Sequence, residues 1–311
     1  MTRVAAFDCG TNSLRLLIAD VDPAGPRIVD VDRRMEIVRL GEGVDRTGHL
    51  SPEALDRTLR VVRFYSALCR DAGVERMRFV ATSASRDADN RDEFVAGVRS
   101  VLGIEPEVVA GQEEAELSFV GATFGLDAEH PGPFLVVDIG GGSTEIVIGD
   151  DAADAGASVD VGCVRVTERH LHSDPPTPEE VVAAAQDIDA AIDTAAEKVP
   201  FGPARTLVGL AGSVTTVTAH ALALPHYDSA RIHGAVLSLE RIVASCDDLL
   251  ARTRQQRAAL PFMHPGRIDV IGAGALIWRR VVERAAAEAA LRQAVTSEHD
   301  ILDGLAWSLV G

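Results

Sequence analysis

Two apolar runs, each ending in aspartate and each breaking into a short glycine-containing stretch, lie about 130 residues apart: Phe7-Asp8-Cys9-Gly10-Thr11-Asn12-Ser13 and Val137-Asp138-Ile139-Gly140-Gly141-Gly142-Ser143-Thr144-Glu145. A strand that ends this way must turn tightly, and glycine permits both the turn and a close approach of backbone to ligand. Successive N–H groups in such turns form a concavity suited to oxyanions. One loop in each half predicts two related halves acting together as an anion clamp.

The surrounding pattern repeats as well. Residues 3–7 and 14–20 are predicted strands flanking the first loop, and residues 28–38 alternate as a third. Ser51-Pro52-Glu53 opens a helix, with serine as N-cap and proline at the first helical position, and Gly73 ends it. A strand over 77–82, a helix over 91–102, a short strand near Val108 and a helix over about 112–124 complete the first half. Pro131-Gly132-Pro133 breaks the chain, and a second round begins with strands over 134–137, 145–148 and about 157–161. Thr177-Pro178-Glu179-Glu180 is a capping box, predicting a helix to about Lys198. Strands are expected over 207–210, leading into Gly212-Ser213, and over 268–271. Helices are expected near 214–222, 239–250 and 273–289, with a short last one over 301–309. The predicted class is α/β: a domain over 1–125 and another over 126–311, with sheets facing one another across a cleft and the last helix a candidate to pack back on the first domain.

Composition limits what such a clamp can hold. With 311 residues and 47% hydrophobic content, the chain can fill two cores, while a net charge of −17 argues against a broad face for nucleic acid polymers. Lys198 is the only lysine, so a polyanionic substrate needs a metal ion or a few placed arginines. Cys9, Cys69, Cys163 and Cys246 are far apart in sequence and lack zinc or redox spacing, so they read as reduced core thiols. Asp8, Asn12 and Arg15 interrupt the apolar N-terminus, and no segment reaches the roughly 20 uninterrupted apolar residues of a membrane span. The expectation is a cytoplasmic protein.

The two glycine loops resemble the phosphate motifs of the actin, sugar-kinase and Hsp70 superfamily, with its paired actin-like (ribonuclease H-like) domains and mixed sheets flanking a central cleft. Within it, the chain resembles the exopolyphosphatase and guanosine pentaphosphate phosphohydrolase family, in a short two-domain form. The further matching stretches are Val38-Arg39-Leu40-Gly41, Ala81-Thr82-Ser83-Ala84-Ser85-Arg86, Gly111-Gln112-Glu113-Glu114-Ala115, Gly162-Cys163-Val164-Arg165, Gly209-Leu210-Ala211-Gly212-Ser213 and Arg267-Ile268-Asp269-Val270-Ile271.

This resemblance implies Mg²⁺-dependent removal of the terminal phosphate from inorganic polyphosphate or guanosine pentaphosphate. It places Glu114 as the base that activates water, although Glu113 beside it is a competitor on sequence alone. Asp138 and Glu145 match metal ligands, with Asp8 a possible third. Gly10, Thr11, Asn12, Ser13, Gly140, Gly141, Gly142, Ser143 and Thr144 match the phosphate cradle, joined by Gly212 and Ser213 of a third glycine loop. Arg86 matches an arginine whose planar fork meets two phosphate oxygens. Cys9 and Thr11 replace residues common in the family conservatively, whereas Asp303 stands where the family usually carries arginine before a glycine, implying a weakened substrate contact or an altered chain-length preference. The chain ends where longer members add helical domains, implying short polymers as substrate, and family members often form homodimers. A kinase of the same fold, suggested by residues 209–213, and a nonenzymatic guanosine tetra- or pentaphosphate sensor are the alternatives.

Overall fold

A computed structural model describes all residues except 23, 25, 26, 125, 127–129 and 311. It divides into two compact units, Met1–Gly121 with Ile301–Gly311, and Ala122–Asp300. Gly125, where the sequence analysis places the domain boundary, lies outside the described residues.

The first unit contains β1 (Thr2–Cys9), β2 (Ser13–Asp22), β3 (Arg27–Ile37), α1 (Val44–Thr47), α2 (Pro52–Asp71), β4 (Arg76–Ala81), α3 (Ser83–Asp87), α4 (Arg91–Leu102), β5 (Glu107–Val108) and α5 (Gly111–Thr123). Its sheet runs in the order β3-β2-β1-β4-β5, antiparallel among the first three strands and parallel thereafter. The central strands are covered on both faces, which is why β1 reads as a nearly continuous apolar run. Ala5, Phe7 and Cys9 face one way, into a cluster with Val62, Tyr65, Phe94 and Val98. Val4 and Ala6 face the other way.

The second unit repeats the opening with β6 (Phe134–Ile139), β7 (Thr144–Gly149) and β8 (Ala153–Val159). It continues through α6 (Cys163–His170), α7 (Pro178–Ala196), β9 (Thr206–Leu210), α8 (Ala211–Ala221), α9 (Ser229–Ile232), β10 (Val236–Ser238), α10 (Leu239–Ala251), α11 (Arg254–Ala258), α12 (Ile271–Ala289) and β11 (Gln293–Thr296). The sheet order is β10-β11-β9-β6-β7-β8, so β6, β7, β8 and β9 occupy the places of β1, β2, β3 and β4. Thr177 and Glu180 form the expected capping box at the start of α7.

The strand expected over 268–271 is not formed. A single 3₁₀ turn covers Pro265–Arg267, and Ile271 already begins α12. Four apolar-rich residues carry no decisive period, and here residues 268–270 form a turn that leads into the helix at Ile271. The strand beside β9 is instead β11, in parallel register with it.

The last helix, α13 (Ile301–Ser308), belongs to the first unit. Ile301, Leu302, Leu305 and Ala306 fill the second face of that sheet, against Val4, Ala6, Leu17, Ala19, Val21 and Val80. Asp303 is 2% exposed and accepts two hydrogen bonds from Arg33 of β3, at 2.6 and 3.2 Å. Asp303 thus has an anchoring role: a buried carboxylate requires a partner, and Arg33 supplies one. Asp303→Asn is expected to lower stability by about 1–3 kcal/mol, the usual worth of a hydrogen bond to a charged group. A urea-unfolding midpoint indistinguishable from that of the parent would refute the anchor.

Candidate active site

Each glycine loop is a hairpin turn closed in the same way. The Gly10 amide donates to the Ser13 carbonyl at 3.0 Å, and the Gly140 amide donates to the Ser143 carbonyl at 3.0 Å. A following segment then takes up the carbonyl side of each turn. In the first unit the amides of Val38 and Arg39 donate to the Asn12 carbonyl at 3.0 and 2.8 Å, and the Gly41 amide donates to that of Thr11 at 2.9 Å. In the second, the Cys163 amide donates to the Gly140 carbonyl at 3.0 Å, and those of Val164 and Arg165 donate to Gly141 at 2.8 and 3.2 Å. The Arg165 side chain adds a bond from Nε to the Gly142 carbonyl at 2.8 Å.

With the carbonyls engaged on one side, the amides of Thr11, Asn12, Gly141 and Gly142 have no protein acceptor among the described residues. Backbone donors left this way in a tight turn are anion-binding groups.

Close packing keeps the turns in place. A Cβ on Gly162 would lie 2.4 Å from both the carbonyl carbon and oxygen of Gly141 and 2.5 Å from the Gly142 nitrogen. All three are backbone atoms of the second turn, so none can swing aside. Gly162→Ala is expected to cost about 1–3 kcal/mol, as overpacking does, and to lower the thermal midpoint. An unchanged midpoint would show that the turn yields freely.

In the first unit, the turn leads to a glutamate. Thr11 Oγ1 and Ser83 Oγ share a hydrogen bond at 2.9 Å, and the Thr82 amide donates to the Cys9 carbonyl at 3.1 Å, so α3 starts against the turn. Arg86, on α3, reaches α5: its Nη1 donates to the Val109 carbonyl at 3.0 Å and to Glu114 Oε2 at 3.1 Å. Glu114 is buried, at 8% exposure. Glu113 faces elsewhere and pairs with Arg78 at 2.7 Å, which also holds Glu107. The two adjacent glutamates, indistinguishable by residue type, are thus separated by their surroundings.

The strand register distinguishes the aspartates. Asp8 stands opposite Arg15 and Asp138 opposite Glu145, at equivalent places in the two hairpins. Asp8 is met by its cross-strand partner: Arg15 donates to its Oδ2 from Nε and Nη2, at 2.9 and 2.6 Å. Asp138 and Glu145, 7% and 2% exposed, form a buried like-charge cross-strand pair, an arrangement that costs stability unless a cation offsets it. Ser158 fixes the glutamate by donating from Oγ to Oε1 at 2.7 Å. Two hard carboxylates suit Mg²⁺, which keeps several waters and completes its shell with substrate oxygens. Among the described residues no group of three or more His, Cys, Asp or Glu side chains is arranged to hold a metal, so any ion at this pair depends on those additional oxygens.

The third glycine loop lies where β9 passes into α8. A Cβ on Gly212 would fall 2.5 Å from the Arg267 guanidinium carbon, and Arg267 Nη1 donates to Thr216 Oγ1 at 3.1 Å. Sequence reasoning cites Arg267 only as part of a motif; the structure seats it on Gly212. Ser213 is buried beside Cys163, whose thiol burial pushes up to about 11. All four cysteines are free and buried, and burial likewise raises the thiols of Cys9, Cys69 and Cys246, so they remain protonated at neutral pH. His170 Nε2 shares a hydrogen bond with Asp187 Oδ2 at 2.9 Å.

Arg15, Ser83 and Arg165 are contributors that sequence reasoning did not single out. The signal for Arg15 is the duplication itself, because it occupies the place of Glu145.

The Ppx/GppA phosphatase family matches residues 17–308. Exopolyphosphatase 2 of Mycobacterium tuberculosis is 50% identical over 100% of this chain and 99% of its own length. A crystal structure of an exopolyphosphatase-like protein, 44% identical, superposes with a TM-score of 0.93 over 97% of each chain. The Aquifex aeolicus PPX-GPPA enzyme, 30% identical, gives 0.81 over 99% of each. No helix among the described residues is long and apolar enough to cross a membrane.

Proposed function

This chain belongs to the Ppx/GppA phosphatase family and is a hydrolase of phosphoanhydrides, and from that premise we propose that it removes the terminal phosphate of short inorganic polyphosphate or of guanosine pentaphosphate, with Mg²⁺. A relative 32% identical over 69% of this chain and 42% of its own length, from Pseudoalteromonas atlantica, is named guanosine-5'-triphosphate,3'-diphosphate pyrophosphatase, which is why the nucleotide stands beside the polymer.

The observation that carries the reading is the pair of turns in which the amides of Thr11, Asn12, Gly141 and Gly142 have no protein acceptor among the described residues while the carbonyls beside them are engaged. These amides, with the hydroxyls of Thr11, Ser13 and Ser143, bind phosphate oxygens without reorganising during the reaction, while the Thr144 hydroxyl is taken up by the Val161 carbonyl. Arg86 adds a planar guanidinium suited to a phosphate and orients Glu114 at the same time. Glu114 accepts a proton from the attacking water as its oxygen bonds to the terminal phosphorus. The terminal anhydride P–O bond breaks, releasing orthophosphate and the shortened chain. Gly212, Ser213 and Arg267 bind a more distant part of the substrate.

Asp138 and Glu145 would hold Mg²⁺, which when bound supplies charge neutralisation for the phosphate oxygens. Asp8 holds Arg15 and shapes the end of its strand.

Phosphate release tests the reading. Purified protein with Mg²⁺ is given polyphosphates of defined length, guanosine pentaphosphate or ATP, each without an acceptor. Release from short polyphosphate or from guanosine pentaphosphate is expected. Release only after a sugar or acid acceptor is added would identify a kinase, and binding without release would identify a sensor.

A further inference from the structure

We propose that Arg57, on α2, is a positioning residue for the first anion-binding turn, an inference that rests on the reading of residues 10–13 as a substrate-phosphate turn. Its guanidinium donates from Nε to the Val38 carbonyl and from Nη2 to the Arg39 carbonyl, the latter at 3.1 Å. The amides of these same two residues donate to the Asn12 carbonyl, at 3.0 and 2.8 Å. Arg57 therefore reaches the turn through one intervening peptide segment, gripping it on its carbonyl side.

That segment needs an external hold. Arg39 has a φ of 46°, a left-handed conformation that is costly for a non-glycine residue and persists only where the surroundings fix it. Two residues on, a Cβ on Gly41 would lie 2.4 Å from Thr11 Cγ2 and 2.9 Å from the Ala84 Cβ, so the segment is pressed against the turn with no room to drift toward it. Arg57 prevents movement in the other direction. In the second unit the equivalent segment, residues 163–165, likewise comes after the third strand, and its own Arg165 grips the Gly142 carbonyl itself. The two halves thus brace corresponding turns with arginines drawn from different helices.

The fork geometry is what the role requires. A guanidinium offers parallel donors to two successive carbonyls, whereas an ammonium offers one point of contact. The neighbouring Glu42, 3.5 Å from Arg57 and more than half exposed, is a surface ion pair that contributes little.

The test compares Arg57→Met, Arg57→Lys and Glu42→Gln with the parent protein by two readouts. Amide hydrogen exchange, measured without substrate, is expected to accelerate in both Arg57 variants over residues 10–13 and 38–41, with the rest of the first unit unchanged. Steady-state phosphate release is expected to fall roughly 10- to 100-fold in kcat/KM in both, the scale of a small misplacement of binding groups, and to stay within about twofold for Glu42→Gln. Lysine recovering parent exchange and activity would overturn the proposal, as would acceleration spread uniformly over the unit, which marks a purely structural role. If the parent releases no phosphate from any substrate, the functional reading fails, and the exchange pattern alone decides whether Arg57 positions the turn.

Discussion

Glu114→Gln is expected to retain the fold and substrate binding while losing roughly 10²- to 10⁴-fold in turnover, the range that a positioned general base supplies. The amide is nearly isosteric and its oxygen can still accept the hydrogen bond that Arg86 now gives to the carboxylate at 3.1 Å. What it cannot do is take a proton from water. The neighbouring residue provides the internal control: Glu113 is committed to Arg78, so Glu113→Gln should hydrolyse at nearly the parent rate. Rapid-quench measurement of phosphate release, beside the binding constant for the same polyphosphate, separates lost chemistry from lost affinity. Near-parent turnover by Glu114→Gln would remove this residue from the role.

The second large effect is expected at the cross-strand carboxylates. Asp138→Asn or Glu145→Gln should abolish detectable Mn²⁺ binding, followed by electron paramagnetic resonance with Mn²⁺ as the probe for Mg²⁺, and should lower phosphate release at least roughly 100-fold. Asp8→Asn should behave differently, retaining Mn²⁺ binding and losing stability, because Asp8 answers Arg15. Full Mn²⁺ binding by Asp138→Asn would place the metal elsewhere.

Much of the architecture was legible because the determining patterns are local. A strand ending in Asp8 or Asp138, a glycine turn and a returning apolar strand specify a hairpin wherever they occur. Ser51 before Pro52, and Thr177 three residues before Glu180, fix helix starts through bonds within a single turn. What was not legible depends on distant partners. β11 has four residues and exists because β9 and β10 lie on either side of it, and residues 268–271 have too short an apolar run to choose strand over helix. Site residues divide the same way. Turn glycines and strand-end acids are visible from type and spacing, whereas choosing Glu114 over Glu113 requires knowing that Arg86 faces one and Arg78 the other. The anchoring of Asp303 was hidden for the same reason, since Arg33, its partner, lies 270 residues earlier.

The central claim is that water, directed by Glu114, attacks the terminal phosphorus of the substrate. Single-turnover hydrolysis of a short polyphosphate in heavy-oxygen-labelled water tests it most directly, with both products examined by mass spectrometry. The label is expected in the released orthophosphate, one atom per molecule, and absent from the shortened chain. Label on the shortened chain would mean attack at the penultimate phosphorus, and orthophosphate without label would mean that water is not the nucleophile; either result would contradict the account.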